Sequence, residues 1–477
     1  MKVRVDPATC QGHNRCHALA PELFDVDDLG FARVRGDGTV AAGLEDKANS
    51  AVDNCPEHAI AIVEERSGMG GGAREPVADW ATDFDHLDPA WAADPHAIWD
   101  DLRHRCPVAH TDRYGGVWLP TRYDDIRAVA YDTEHFTSLF PVIVEFPEPP
   151  AGSWGNAPPL TADPPHHRTA RMLLLPAFAP AAVGRIEEFT RRQCEEIVTG
   201  LDGSATCDGV RDYAQRIPAA VITHLFGFPL GEAEHFREHA RALNEEVDAP
   251  ADERRAWRDA FLVYLDRLIE EHRGSAEDTL LGYLLGLEHG GSRLTHEQVR
   301  GMLNLIVVAG IHTTESVIGA SLWHLATHPA DRRRLVQDPA LLPTAVEELC
   351  RVYAPVSTAR RARTGAEIDG HVLAAGDWVL LAFPSANRDP TVFDDPQEVI
   401  LDREPNRHCA FGLGIHRCIG SGLARMEITV ALRAWLERLP EFELADPDAV
   451  TWSLGQTRGP RSVPLRLGQT AAGTRTG

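Results

Sequence analysis

A glycine-rich stretch at residues 66–78 divides this chain of 477 residues into two parts that we expect to fold around separate cores. The stretch reads R-S-G-M-G-G-G-A-R-E-P-V-A, and its four glycines and one proline favour neither a helix nor a strand. A segment of this composition is typical of a flexible linker. The sequence therefore predicts a small N-terminal domain at residues 1–65 and a much larger domain at residues 79–467.

The two parts differ in their hydrophobic patterns. Residues 1–65 contain strand-like segments at 3–5 and 59–63 and a helical pattern at 44–54, which predicts a small α+β domain. A core of this size is marginal without a metal or another staple. The last ten residues, 468–477, are expected to form a disordered tail. The larger part is dominated by helical periodicity, at residues 185–201, 252–272, 297–327 and 341–353.

Charge and cysteine content narrow the classes of function. The chain has 47 Lys and Arg against 71 Asp and Glu, a formal charge of −24, which argues against nucleic acid as a partner. No run of 18 apolar residues is present and the N-terminus lacks the apolar core of a signal peptide, so we expect a cytoplasmic protein without a membrane span. Its nine cysteines are then not expected to form a disulfide framework, and their spacing bears on metal binding instead.

Three cysteines of the small part have the spacing of metal ligands. Cys10 and Cys16 bracket the loop C-Q-G-H-N-R-C, and Cys55 stands directly before Pro56. Thiolates are the usual ligands of iron–sulfur clusters, and close cysteines followed by a distant Cys-Pro are one of their arrangements. A bound cluster would also supply folding energy that so short a domain lacks. A zinc site and three buried free thiols are the alternatives.

Residues 1–65 resemble the small bacterial ferredoxins that serve monooxygenases. In related four-iron ferredoxins the middle position of the cysteine loop is a further cysteine, whereas here it is His13. The resemblance implies one iron–sulfur cluster held by Cys10, Cys16 and Cys55. Three thiolates favour a 3Fe-4S cluster, and ligation by His13 would instead give a 4Fe-4S cluster.

The string F-G-L-G-I-H-R-C-I-G at residues 411–420 presents one cysteine at the end of a loop, before a predicted helix. Its glycines let the backbone pass close to a flat ligand. The dipole and the backbone N–H groups of a helix beginning near Ile419 would stabilise the thiolate of Cys418. A thiolate on haem iron favours cleavage of the O–O bond.

This string resembles the haem-binding loop of the cytochromes P-450, F-G-x-G-x-H/R-x-C-x-G, and it matches every fixed position from Phe411 to Gly420. The resemblance implies a mainly α fold with small β-sheets, with haem b as the cofactor. It also implies that Cys418 binds the haem iron and that O2 is a co-substrate.

A second motif of the same family lies upstream of the cysteine loop. Glu348 and Arg351, in E-L-C-R, resemble the family's E-x-x-R and share one face of a predicted helix. Arg403, in L-D-R, stands where the third member of that network is expected. We expect these three residues to shape the haem pocket without taking part in the chemistry.

The two haem propionates need cationic or hydrogen-bonding partners. By resemblance, His167 and Arg171 in D-P-P-H-H-R-T-A-R take this role, and their spacing of four places them on one helix face. Arg360 in T-A-R-R-A is a third partner, with Arg361 as the less favoured alternative. His416 fills the His/Arg position of the cysteine loop and is the fourth.

The string A-G-I-H-T-T at residues 309–314 resembles the family's oxygen-activating A-G-x-D/E-T-T. The resemblance implies that Gly310 leaves space and that Thr313 relays protons. His312 stands where the family has an acid; it either shuttles protons in place of the carboxylate or points into solvent. Glu315 lies two residues beyond Thr313 on a different helix face, and we do not expect it to supply the missing acid.

Together the motifs predict a ferredoxin fused to a haem-thiolate monooxygenase. The sequence shows no flavin or nicotinamide domain, so a separate NAD(P)H-dependent ferredoxin reductase is the expected electron source. The family implies hydroxylation or oxidative dealkylation of a small-to-medium apolar or aromatic substrate. A peroxide-driven peroxygenase, which the missing acid would allow, and a non-catalytic haem sensor or electron carrier are the alternatives. The expected pocket residues are Phe140, Val142, Ile143, Val144, Phe146, Trp154, Val308, Val356 and Leu454.

Overall fold

The computed structural model describes residues 2–5, 10, 14–27, 31–36, 38–41, 43–53, 55, 59–63, 75–143, 154–245, 249–274 and 278–468. The chain divides into two compact units, Met1–Gly68 and Met69–Gly477. The division falls inside the glycine-rich stretch, of which residues 75–78 are described. His13 and the predicted tail beyond residue 468 lie outside the described residues.

The small unit packs helices against antiparallel strand pairs. Strand β1 pairs with β4, and β2 pairs with β3. Buried apolar side chains from both helices and from three of the strands form one core, centred on Phe24. The elements agree with the predicted α+β pattern within two residues at each predicted end. In chain order they are β1 (Lys2–Val5), α1 (Arg15–Leu19), β2 (Phe24–Val26), β3 (Ala32–Val34), α2 (Glu45–Asp53) and β4 (Ile60–Val63).

The large unit is mainly helical, which confirms the predicted fold class. A π-helical segment, Gly209–Ala214, precedes its sixth helix. The helices are α3 (Pro89–Ala93), α4 (Pro95–Arg105), α5 (Tyr123–Tyr131), α6 (His166–Leu174), α7 (Pro180–Thr199), α8 (Arg216–Phe226), α9 (Ala233–Glu245), α10 (Ala251–Glu271), α11 (Leu280–Gly286), α12 (His296–Thr327), α13 (Pro329–Gln337), α14 (Leu342–Val352), α15 (Phe383–Ala386) and α16 (Ser421–Arg438).

Small sheets flank these helices. The strands are β5 (Val108–Thr111), β6 (Val117–Pro120), β7 (Phe136–Thr137), β8 (Thr206–Asp208), β9 (Glu288–His289), β10 (Ser292–Arg293), β11 (Ser357–Ala362), β12 (Ala366–Ile368), β13 (His371–Leu373), β14 (Trp378–Ala382), β15 (Phe442–Leu444), β16 (Thr451–Trp452), β17 (Pro460–Ser462) and β18 (Pro464–Leu467). The largest described sheet has the order β5-β6-β14-β11-β7. It places β11, which carries Arg360, between two neighbouring strands.

Helix α12 runs through the core of the large unit. It begins with a reciprocal cap, in which the Thr295 hydroxyl accepts from Gln298 N at 3.2 Å and the Gln298 side chain accepts from Thr295 N at 2.9 Å. Its buried side chains pack against α8, α9 and α16. By length and hydropathy α12 could cross a membrane, but 78% of its apolar stretch is buried inside the protein, as expected of a core helix.

Candidate active site

A tight loop presents Cys418 just before α16. The Cys418 N–H donates to the carbonyl oxygen of Phe411 at 2.7 Å and closes the loop. Gly414 has a φ of 66°, in the left-handed region that favours glycine. A Cβ there would also lie 2.5 Å from the carbonyl oxygen of Ala130 in α5. Gly414 is therefore required both by its backbone conformation and by the close approach of α5.

The Cys418 side chain is exposed, although protein surrounds it. Burial raises the pKa of its thiol, and the Gly420 N–H offsets part of this effect. Three cations also act to lower that pKa: Arg171, Arg417 and Arg425. An accessible but desolvated thiol opens to an enclosed space rather than to bulk water. A coordinated metal deprotonates a thiol outright, so the position suits a metal ligand inside a pocket.

Phe411 supports the same loop through its ring. Cζ of Arg425 lies 4.2 Å from the ring centroid, and the His408 ring lies at 5.8 Å. The described contacts of this side chain are thus with α16 and with the segment before the loop. Phe411 therefore stabilises the cysteine loop in two ways. Its carbonyl oxygen binds the N–H of Cys418, and its ring packs against Arg425.

The structure brings Glu348, Arg351 and Arg403 together. Arg351 donates to both carboxylate oxygens of Glu348, at 2.8 and 2.7 Å, and neither side chain is accessible. Arg403 Nε adds contacts at 3.0 and 3.1 Å. Arg351 also donates to the carbonyl oxygens of Asn387, Pro396 and Glu398. The network ties α14 to the chain that leads into the cysteine loop, which is a structural role.

The four cationic residues expected at the propionates also lie close together. The ring centroids of His167 and His416 are 4.3 Å apart. Burial, followed by Arg360, His167 and Arg171, lowers the pKa of His416 to about 2. Burial also lowers the pKa of Arg360 to about 10, with Asp163 acting in the opposite direction. The guanidinium groups of Arg171 and Arg360 are thus desolvated near imidazoles whose pKa values are lowered, and an anionic ligand would offset the energetic cost of burying these two charges.

The unpartnered atoms of this cluster fit the carboxylates of haem. Nε2 of His167 and Nε2 of His416 are both buried without a hydrogen-bond partner among the described residues. The nearby carboxylate of Asp163 already accepts from Ser138 N at 2.9 Å and binds Thr137 and Arg363. Buried polar atoms without partners are rare, so these two nitrogens are available to bind the carboxylates of a ligand. In β11 the neighbouring Arg361 turns instead toward the rings of Phe140 and Trp378.

Helix α12 opens on one side near its middle. Ala309 is exposed and Val308 and Thr313 are half-buried, whereas the turns before and after them are buried. The Thr313 hydroxyl lies in this opening and donates to the Ala309 carbonyl oxygen at 2.6 Å. A Cβ at Gly310 would lie 3.1 Å from Cδ1 of Ile222 in α8, so this glycine also serves helix packing.

His312 does not point into bulk solvent, and its described partner is the residue that sequence reasoning set aside. Nδ1 of His312 lies 2.8 Å from Oε1 of Glu315, and both side chains are buried. Glu315 was not expected to supply the missing acid because it lies two residues from Thr313, on a different helix face. Relative to His312 it is three residues away, a spacing at which helical side chains meet.

The residues expected to line the pocket do not all lie in the same environment. Phe140 is buried with its ring 6.1 Å from that of Trp378, and Ile143 belongs to the core beneath the sheet, so neither lines an open pocket. Trp154 packs 6.0 Å from His289. Val144 and Phe146 lie outside the described residues. Half-buried residues remain as candidates, namely Val142, Val308, Val356 and Leu454.

Asn244 is a polar residue near this opening that sequence reasoning missed. Its Nδ2 donates to the carbonyl oxygen of Val308 at 3.4 Å, and its Oδ1 accepts from the Thr457 hydroxyl at 3.2 Å. The side chain therefore connects the end of α9 to the opening in α12. An asparagine in a helix carries no motif, and only the packing of α9 on α12 identifies it.

In the small unit, Cys10 and Cys55 both raise the pKa of Cys16, after burial, which places the three thiols near one another. Ala59 N donates to Cys55 Sγ at 3.3 Å, the kind of contact that tunes iron–sulfur clusters. The described residues contain no group of three or more His, Cys, Asp or Glu that converges on one metal ion.

Comparisons with known proteins assign both parts of the chain. Residues 249–451 match the family model "Cytochrome P450", and residues 3–62 match "4Fe-4S single cluster domain". The polyketide biosynthesis cytochrome P450 PksS of Bacillus subtilis is 31% identical over 78% of this chain and 96% of its own length. The cytochrome P450 monooxygenase PikC of Streptomyces venezuelae is 35% identical over 86% of this chain and 100% of its own.

Solved structures show the same fold. The PksS structure matches with a TM-score of 0.72 and 31% identity, covering 81% of this chain and 100% of that one. The structure of the versatile P450 CYP109B1 from Bacillus subtilis matches with a TM-score of 0.69 and 30% identity, covering 79% and 100%. The fold, the cysteine loop and the relatives agree. The chain belongs to the cytochrome P450 family and is a cytochrome P450 monooxygenase.

Proposed function

We propose that this chain is a cytoplasmic, ferredoxin-fused haem-thiolate monooxygenase that receives electrons through its own iron–sulfur domain. The balanced reaction is RH + O2 + two electrons + two protons giving ROH + water, and bound haem b supplies the redox chemistry on dioxygen. The observation that carries this proposal is the accessible thiol of Cys418 near the desolvated guanidinium of Arg171, which belongs to the same group of side chains as Arg360. These two features suit the iron and the carboxylates of one haem.

In this proposal Cys418 holds the iron, and four side chains bind the carboxylates: His167, Arg171, Arg360 and His416. Replacing Cys418 by serine should abolish the thiolate-type spectrum of the ferrous carbonyl complex together with oxygenation activity. Cys106→Ser is a matched control, because Cys106 is half-buried beside β5 and its thiol donates to Val108 at 3.5 Å. An unchanged carbonyl spectrum in Cys418→Ser would assign the axial ligand elsewhere.

The small unit would act as the electron conduit from a separate NAD(P)H-dependent ferredoxin reductase. The proximity of Cys10, Cys16 and Cys55 and the 4Fe-4S domain match support an iron–sulfur centre. Cys55→Ala should lose that centre while the P450 unit stays folded, because separate domains carry separate cores. Product formation should fall and return when an external ferredoxin is added. Normal turnover by Cys55→Ala without added ferredoxin would exclude the fused domain as the conduit.

For the cluster itself, we propose the 3Fe-4S form, because the middle position of the cysteine loop is His13 rather than cysteine. Iron and sulfide analysis with electron paramagnetic resonance of the oxidised protein distinguishes three irons from four. His13→Cys should convert the centre to a 4Fe-4S cluster. A four-iron spectrum in the unaltered protein that His13→Ala abolishes would show that the imidazole is the fourth ligand.

The substrate we propose is a small-to-medium apolar or aromatic molecule that is hydroxylated or oxidatively dealkylated. Val308 and Ala309 supply apolar surface at the opening of α12, and Asn244 and Thr457 supply a polar edge. Relatives bear names such as "Vitamin D(3) 25-hydroxylase" and "Mycinamicin IV hydroxylase/epoxidase", so the ligand panel should include secosteroids and macrolactones beside small aromatics. Spectral titration for displacement of iron-bound water identifies the class. Shifts confined to macrolactones would replace the small-substrate proposal.

A peroxide-driven peroxygenase is the second candidate, and the observation that favours it is His312 at the position of the family's acid. Turnover with peroxide alone should be compared with turnover supported by reductase and NAD(P)H. The monooxygenase proposal requires the second route to be faster. Faster turnover with peroxide alone would favour the peroxygenase, and no oxygenation by either route would leave a sensor or carrier.

A further inference from the structure

A buried histidine–carboxylate pair lies within α12 next to the threonine of the opening. Nδ1 of His312 is 2.8 Å from Oε1 of Glu315, with 3% of the histidine and 9% of the glutamate exposed. The main chain on both sides is held by side-chain hydrogen bonds. Thr313 donates to Ala309 O at 2.6 Å, and Ser316 donates to His312 O at 2.7 Å.

We propose that Glu315 is a positioning residue for proton delivery. It acts by orienting the imidazole of His312 and by stabilising the protonated form of that ring. This inference rests on the proposed monooxygenase function, which consumes two protons in each turnover. The Glu315 carboxylate accepts a hydrogen bond from the Nδ1–H group of His312 and thereby fixes the tautomer. Nε2 then becomes the nitrogen that exchanges protons. The same division of roles holds in the Asp–His pair of serine proteases, where the carboxylate orients the imidazole and stabilises its charged form.

The proton balance needs no further reactant. In the proposed cycle the charged imidazole gives up its Nε2 proton and becomes neutral, while its Nδ1–H stays bonded to Glu315. Water returns a proton to Nε2, and the Glu315 carboxylate stabilises the restored positive charge. No electron is transferred in this cycle.

A cation on the neighbouring helix lies within electrostatic range of Glu315. Glu315 raises the pKa of Arg237 in α9, although Glu234, through its hydrogen bond, has the larger effect. The attraction is mutual, so Arg237 offsets part of the negative charge of Glu315. Arg237 is held in turn by Glu234, with Nε to Oε2 at 2.8 Å, and by Gln215 at 3.3 Å. The pair in α12 therefore lies within electrostatic range of a guanidinium that α9 and Gln215 hold in place.

The first test measures the tautomer in the holoenzyme. The probe is the ferrous carbonyl complex, in which the haem is diamagnetic, labelled with ¹⁵N-histidine, and His312→Gln assigns the resonance. The expected result is a proton held at Nδ1 in the unaltered enzyme and lost or redistributed in Glu315→Gln. Nδ1–H retained unchanged in Glu315→Gln would overturn the positioning role. This measurement requires no turnover, so it remains decisive even if the proposed function fails.

The second test measures coupling, as product formed and peroxide released for each O2 consumed. Glu315→Gln and His312→Gln should each lower coupling by about 100-fold, the lower end of the range for a lost proton-transfer group. The double variant should be no worse than either single variant, because residues of one relay act as a unit. Glu315→Asp should restore part of the coupling. Glu297→Gln, an exposed carboxylate in the first turn of the same helix, is the control.

The two proposals fail in different ways. An unaltered enzyme that oxidises no substrate would contradict the proposed function. An active enzyme whose coupling is the same in Glu315→Gln, or whose double variant shows additive losses, would contradict the role of Glu315. If Glu315→Gln loses its thiolate-type carbonyl spectrum and so fails to fold, the comparison of Glu315→Asp with His312→Gln decides the question. Full coupling in His312→Gln would then overturn the inference.

Discussion

Arg425 and Glu347 form a two-point ion pair that joins α16 to α14. Nε and Nη2 of the arginine donate to the two carboxylate oxygens at 2.5 and 2.8 Å. His408 adds a contact of 2.9 Å to the same carboxylate. Because Arg425 also covers the Phe411 ring, this pair fixes the base of the cysteine loop.

This ion pair predicts that the folded state loses stability at acid pH. Burial alone would raise the pKa of Glu347, but hydrogen bonds from Arg425 and His408 outweigh it and lower the pKa from 4.5 to about 2. A lowered carboxylate pKa stabilises the folded state above pH 4.5, and this contribution is lost as the pH falls toward 2. Glu347→Gln should therefore cost about 2–3 kcal/mol at pH 7 and almost nothing near pH 2.

Urea unfolding followed by haem absorbance at the two pH values measures this difference. Glu188→Gln, in the exposed pair of Glu188 with Arg191 on α7, is the control and should change stability far less than Glu347→Gln, because solvent screens this pair. An equal loss from Glu347→Gln at both pH values would show that packing, and not charge, holds this contact.

The buried carboxyl of Glu427 leads us to predict the opposite pH dependence of folding stability. It lies in α16 with 1% of the residue exposed, and burial raises its pKa to about 8. A carboxyl with a raised pKa is best accommodated below its unfolded value of 4.5, and stability declines as the pH rises toward 8. Glu427→Gln should remove this decline and stabilise the protein by roughly 1–3 kcal/mol at pH 8. Melting temperatures at pH 5 and pH 8 test this, and a variant that gains nothing at pH 8 contradicts it.

We predict that Arg360 lowers the stability of the haem-free chain and improves the retention of haem. Its guanidinium is buried, and burial lowers its pKa to about 10. Arg360→Met should raise the melting temperature of the haem-free chain, because replacing a buried charge by an apolar side chain is often stabilising. It should also speed haem transfer to apomyoglobin. Arg361→Met is the matched control, since this neighbour contacts Phe140 and Trp378 and should not change haem transfer. Equal transfer rates in the two variants would remove Arg360 from the carboxylate site.

Gly414→Ala should disrupt the cysteine loop without touching the thiol. The new methyl group would lie 2.5 Å from Ala130 O, and the φ of 66° adds about 1–2 kcal/mol of backbone strain. Haem content after expression should drop, and Gly231→Ala, with nothing within 4 Å of its Cβ, should retain it. Normal haem loading in Gly414→Ala would mean that α5 can move away from the loop.

Local patterns allowed much of the fold and part of the site to be predicted. Helix α12 and the cysteine loop were predictable, because the first is a long apolar stretch and the second combines glycines, a cysteine and a helix start in ten residues. Glu348 and Arg351 were predictable as partners because a helix brings residues three apart together. For each of these features, sequence separation alone specifies the geometry.

The features that sequence reasoning missed depend on contacts between distant segments. Asn244 matters because α9 packs on α12, which no local spacing indicates. Phe140 was expected at the pocket from its place in the chain, but Trp378 holds its ring against the sheet. Glu315 was set aside because it was compared with Thr313 and not with His312. A helical spacing states which side chains can meet, and the surrounding packing decides which of them do.

The two units of this chain are products of one reading frame, Met1–Gly68 followed by Met69–Gly477. Translation therefore supplies the iron–sulfur domain and the P450 in a ratio of one to one, whatever the level of expression. Gene transfer to a new host moves both domains together. Under the proposed electron route, such a host would need to provide a compatible reductase and the machinery that makes haem and iron–sulfur centres, but no matching ferredoxin gene.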